Sequence, residues 1–108
     1  MIKIRYTFLK KTGVFMALAQ KKQNDILKAV LDIETHLVSK YKVSNEGTFG
    51  SKLKEAGPKI KNELVKDCMW QILKIRNAIV HPGDLKVSLK EYGLFLSLFD
   101  YIRKIEKF

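Results

Sequence analysis

Two prolines are all that interrupt this chain, and they define its organisation. Pro58 follows Gly57 and Pro82 precedes Gly83. Gly-Pro and Pro-Gly pairs stop one helix or launch the next, because proline lacks a backbone donor and glycine tolerates unusual backbone angles. With six glycines in the whole chain, turns are few. That scarcity favours a few long helices over many short strands. At 108 residues the chain makes one domain, large enough to bury a core without disulfide or metal staples.

Periodicity fills the spaces between these breaks with helix. Ile26, Val30, Ile33, Leu37 and Tyr41 recur at steps of four, three, four and four. That is one face of a helix over 24–42, widened by Leu27 and Val38. The helix can extend upstream through Met16–Lys22. "VSNEGTFG" reads as a loop, and a short helix over 49–56 should turn Phe49, Leu53 and Ala56 inward. A third helix is expected from Lys59 to Val80. Leu64, Cys68, Ile72, Ile75 and Ile79 fall within roughly 80° of one another on it and read as its core face. Val65, Met69, Leu73 and Val80 form a second apolar strip, a surplus that suits a central helix or a dimer surface. Ser88 and Glu91 make a capping box, with Val87 and Tyr92 as a hydrophobic staple, and open a last helix from Leu89 to about Glu106. Tyr92, Phe95, Phe99 and Ile102 line one strip of it, and Leu94, Leu98, Tyr101 and Ile105 another. The expected architecture is an all-α bundle of four to five helices, mostly antiparallel because the connections are short.

Charge separates the first 23 residues from the rest. The chain carries +10 formally, and its first 23 residues hold six basic side chains and no acidic one. Residues 1–23 read as a basic leader or as the start of the first helix, and 24–108 as the helical domain. A basic surface suits a polyanionic partner. Ala17-Leu18-Ala19 also fits the pattern of a secretory cleavage site, although the apolar run before it is short and contains Thr12 and Gly13. No apolar run has the length of a transmembrane helix. The single cysteine, Cys68, lies on an apolar helix face and reads as a small buried hydrophobe. No Cys/His spacing suits zinc, and no metal or cofactor is expected. His36 falls on the polar side of its helix and is expected in solvent.

The candidate chemistry lies in "KIRNAIVHPG", Lys74 to Gly83. Asn77 and His81 are four apart and share a face, with Trp70 on the same side. Arg76 falls on the second apolar strip. On a straight helix Arg76 and His81 point about 140° apart. Pro82 disfavours the α conformation at His81, so that side chain can swing back and the long Arg76 side chain can meet it. Histidine exchanges a proton near neutral pH, and arginine grips phosphate oxygens in a fixed fork. Asn77 can hydrogen-bond the imidazole and fix its tautomer. The plainer reading is a helix terminus, with His81 favoured by the dipole and Pro82-Gly83 as stop signals.

Arg76, Asn77 and His81, with four residues between the arginine and the histidine, resemble the signature of HEPN domains. The layout over 24–106 resembles the family's as well: a long first helix, the short helix around "TFGSKLKEAG", the motif helix and a closing helix. The resemblance implies a HEPN-like homodimeric bundle. It implies a metal-independent endoribonuclease of toxin or phage-defence type, in the cytoplasm, with an antitoxin or defence-system protein as a partner. The motifs of two subunits would meet in one cleft, with Arg76, Asn77 and His81 catalytic. Glu34, beside Leu27 and Val38, is a candidate acidic partner for Arg76, and a solvated helix glutamate is the plainer reading. Trp70 and Lys74 are candidate RNA contacts, although a tryptophan in this setting also suits packing. Gly83 stands where family members silenced by nucleotidyltransferase antitoxins carry tyrosine, which argues against that mode of control. Other members of the family only bind RNA, nucleotides or partner proteins.

Overall fold

The computed structural model describes residues 2–78 and 89–108, with side chains from Gln20 to Ala78 and from Lys90 to Phe108. Among these residues it is an all-α bundle of four helices: α1 (Ile2–Tyr41), α2 (Phe49–Ala56), α3 (Glu63–Ala78) and α4 (Leu89–Glu106). A 3-10 turn over Gly57–Lys59 links α2 to α3. No strand occurs among the described residues, and none of their helices is long and apolar enough to cross a membrane.

The backbone of α1 is one helix of 40 residues. At about 1.5 Å per residue it spans roughly 60 Å, which accounts for the 61 Å long axis of the molecule. Its core contribution is the expected stripe of Ile26, Val30, Ile33 and Leu37, joined by Ala29. Lys42, in the left-handed region at φ 56°, ends the helix, and the buried Val43 begins the return. Gly47 has φ 96°, and a Cβ there would sit 2.6 Å from Ser51 Oγ, so this turn requires glycine. Thr48 then caps α2 by accepting a hydrogen bond from Ser51 N at 3.2 Å. Phe49, Leu53 and Ala56 turn inward as their spacing predicts.

Two expectations for α3 change. It starts at Glu63, not at Lys59. Gly57-Pro58-Lys59 closes a 3-10 turn, Ile60 is extended, and the Asn62 side chain caps the helix by accepting from Val65 N at 3.1 Å. The core face is also rotated. Val65, Cys68, Met69 and Ile72 are buried, whereas Leu64 is 55% exposed and Ile75 half-buried. The supposed surplus strip, as far as Met69, is therefore core within one chain, not a dimer surface. Cys68 is buried as expected, and burial, with Asp67 nearby, pushes its thiol pKa up.

On α4, Phe95, Leu98 and Ile102 are buried, while Tyr92, Phe99 and Tyr101 are half-buried against the core. Leu94, Leu96 and Ile105 remain exposed. Two tyrosine–carboxylate hydrogen bonds hold α4 to α1. Tyr92 donates to Asp25 at 2.6 Å near one end, and Tyr41 donates to Glu106 at 2.6 Å near the other. Both partners advance together along the chain, so α1 and α4 run parallel. The antiparallel expectation rested on short connections, and these two helices are not consecutive. The capping box at Ser88 and the staple residue Val87 lie outside the described residues.

Candidate functional site

Arg76 sits in the last turn of α3, and its position there is unusual. Val65, Met69 and Ile72 are fully buried, and Arg76 continues their 4-3-4 series. At 100° per residue it lies within roughly 30° of the centre of the buried arc. The guanidinium Nε is buried and has no hydrogen-bond partner among the described residues, and Arg76 forms no ion pair there. A buried donor left unpaired costs about 1–3 kcal/mol, and more where the group is charged. Among the described residues, therefore, a half-buried cation continues the core arc of α3 without a counter-anion.

The neighbours of Arg76 separate into two groups. Asn77 follows it by one residue and is exposed, roughly 100° around the helix. Lys74 is exposed on the same side as Asn77, and Trp70 lies between them in angle, half-buried against the core. Trp70, Lys74 and Asn77 thus share one face of α3 while Arg76 points away from it. His81 and Pro82 lie outside the described residues.

Glu34 is not the partner of Arg76. It pairs with Lys52 of α2 at 3.2 Å, and the Lys52 side chain is only 7% exposed. A lysine buried that deeply requires a counter-ion, and Glu34 is the carboxylate within reach across α1 and α2. This pairing also removes Glu34 from bulk solvent, since its side chain is 20% exposed.

A second polar cluster joins α1 to the end of α4. The Glu106 side chain is 6% exposed and takes three partners: Tyr41 at 2.6 Å, His36 Nε2 at 3.0 Å and Lys40 at 3.2 Å. Burial pushes the Glu106 carboxyl up, but the hydrogen bonds from Tyr41, His36 and Lys40 outweigh it and hold its pKa below the ordinary carboxylate value. Burial, aided by the Glu106 hydrogen bond, pushes the Tyr41 hydroxyl well above its usual range. His36 is not in open solvent as its helical position suggests. Its ring stacks on Phe108 with centroids 4.3 Å apart and planes 12° from parallel. The polar side of α1 at this point is covered by the last residues of the chain, which fold back from α4. One sequence signal could have revealed the cluster. Glu106 closes α4 at its C-terminal end, where the helix dipole disfavours a carboxylate.

His36 also lines a groove of about 570 Å³ between α1 and α4, with Lys28 and Arg103 on its walls. No group of three or more metal-ligating side chains gathers among the described residues. Comparison with known protein families, with curated proteins and with solved structures found no match.

Proposed function

We propose that this chain is a metal-independent endoribonuclease of HEPN type, acting in the cytoplasm as a homodimer. The observation that carries the reading is Arg76: a guanidinium held in the core arc of α3, its Nε desolvated and unpaired, one residue before a motif asparagine. Such a cation is poised for an anion supplied from outside the fold, and an RNA phosphate is an anion with the matching fork geometry. The dimer, and an antitoxin or defence-system partner, rest on the resemblance of the motif alone.

In this reading the ribose 2′-oxygen attacks the adjacent phosphorus. The O2′–P bond forms and the P–O5′ bond breaks. One copy of His81 takes the 2′-hydroxyl proton, and the copy from the second subunit gives a proton to the leaving 5′-oxygen. Arg76 steadies the charge on the crowded phosphoryl group, and Asn77 orients His81. Lys74 and Trp70 hold the flanking strand through a phosphate and a base. The products are 2′,3′-cyclic phosphate and 5′-hydroxyl ends.

The test is cleavage of a broad RNA pool in EDTA, with end-group analysis and sedimentation of the protein alone. The wild type should cut, and Arg76→Ala and His81→Ala should each abolish cutting while the assembly persists. Normal cutting by both variants sinks the site assignment. An inert wild type leaves a module that binds RNA, nucleotide or a partner protein.

A further inference from the structure

We infer that the first half of α1 is a membrane-surface anchor: a basic, amphipathic helix that lies in the headgroup layer of an anionic bilayer and holds the bundle beside it.

The register of the bundle places that half of α1 beyond the start of α4. Tyr92 and Glu106 of α4 meet Asp25 and Tyr41 of α1, partners 67 and 65 residues apart in the chain. The start of α4 at Leu89 is therefore level with the residues of α1 just before Asp25. α4 has 18 residues and α1 has 40. At about 1.5 Å per residue, α4 accompanies α1 for roughly 27 Å of its length of roughly 60 Å. α2 joins α1 within the same second half, through Lys52 and Glu34. The 61 Å long axis of the molecule is the length of α1 itself.

The core stripe of α1 continues beyond that level. Ile26, Val30, Ile33 and Leu37 are its buried contribution to the bundle. At about 100° per residue, the positions of Ile4, Phe8, Phe15 and Ala19 fall with those four in one arc of about 80°. The positions of Ile2, Leu9 and Met16 widen the upstream stripe to about 160°. Lys3, Lys10 and Lys21 line up within about 20° of one another, opposite the centre of that arc. Arg5 and Thr12 fall inside the arc and Lys11 borders it. An arginine or lysine stem is long enough to reach lipid phosphates from such a position.

Charge selects the occupant of this face. Residues 1–23 carry six basic side chains and no acidic one. Two copies of the segment would set like charges against each other, which disfavours self-pairing. A helix buries a stripe of about 100° against one neighbour, narrower than this arc, whereas a bilayer surface takes up the whole of it. Lys3, Arg5, Lys10 and Lys11 within residues 2–19 exclude a spanning helix. Phenylalanines and aliphatic residues on one face, with lysines opposite, define the class that lies in the interface plane. The surface of matching charge is one rich in anionic lipid.

The experiment floats the full chain with vesicles of phosphatidylcholine alone and of phosphatidylcholine mixed with phosphatidylglycerol. The chain should bind the anionic vesicles and not the neutral ones, and at least about tenfold more weakly in about 0.5 M salt than in about 0.05 M. Lys10→Glu with Lys11→Glu should weaken binding by at least about tenfold. Phe8→Ser with Phe15→Ser keeps every charge and should weaken it as much, which a polyanion held by charge alone does not require. Both variants should keep the wild-type Tm, because the substitutions lie outside the bundle. Arg76→Ala should bind vesicles as the wild type does, which separates this surface from the proposed catalytic one. Failure to float with anionic vesicles, equal binding to neutral ones, or full binding by the phenylalanine variant each overturn the inference. If flotation fails, self-association of the wild type that the phenylalanine variant lacks assigns the face to a second copy instead.

Discussion

Replacing Arg76 with methionine should make the protein more stable and, in the proposed reading, inactive. Arg76 continues the buried Val65–Met69–Ile72 series, where the local environment selects an apolar side chain. Methionine keeps much of the arginine stem and removes the unpaired Nε. An unsatisfied buried donor costs about 1–3 kcal/mol, and the rest of the guanidinium is partly exposed, so the expected gain is about 1–2 kcal/mol. For a domain of this size that raises Tm by about 4–8 °C. Thermal unfolding followed by circular dichroism at pH 7 measures it directly. A second arm uses a 2′-O-methyl RNA, which should raise the Tm of the wild type and leave that of Arg76→Met unmoved. An unchanged or lower Tm for the variant without RNA refutes the reasoning, because it would mean that Arg76 contributes to the fold like any core residue. Function would then not be needed to explain its presence there.

The Glu106 cluster gives the next expectations. Glu106→Ala strands the Tyr41 hydroxyl and removes hydrogen bonds to a charged group, and should destabilise by about 3 kcal/mol in urea titration; Lys40, half-exposed, contributes little of this. Because the folded-state pKa of Glu106 is lowered, its stabilising contribution is complete above the unfolded carboxylate value of about 4.3 and is lost as pH falls through the folded value. Stability should therefore decline on acidification below about pH 4.5, and Glu106→Gln should decline less steeply than wild type; equal slopes would remove Glu106 from the account. Asn62→Ala, which deletes the cap of α3, should cost about 1 kcal/mol by the same titration.

Much of the fold was legible because α1 and α2 follow simple periodicity. Ile26, Val30, Ile33 and Leu37 are spaced for one helix face, and that face is the core. On α3 periodicity marks the helix but not its buried face. Leu64–Cys68–Ile72–Ile75 and Val65–Met69–Ile72 are both helical series, offset by one residue, and the count of apolar residues cannot choose between them. The docking of α1 and α4 against α3 makes the choice, and that packing is tertiary. The start of α3 differs from the expected one for a local reason: Pro58 can open a helix, but here Asn62 supplies the cap four residues later.

Polar partnerships were the least legible, because they join residues far apart in the chain. Glu34 and Lys52 are 18 apart, and His36 and Glu106 are 70 apart. Each looks like an ordinary solvated residue on its own helix. What could have been noticed is charge in an unfavourable place. Lys52 lies among the inward residues of α2, and Glu106 closes a helix at its negative end. Each of those misplacements is matched by an opposite charge across the bundle. Arg76 belongs to the same class, a charge in an apolar series, and its Nε is the one buried side-chain donor left without a partner among the described residues. Lys52 and Glu106 are thereby explained by the fold. Arg76 is not explained by a partner among the described residues, and that difference is what supports the proposal that its partner comes from another molecule.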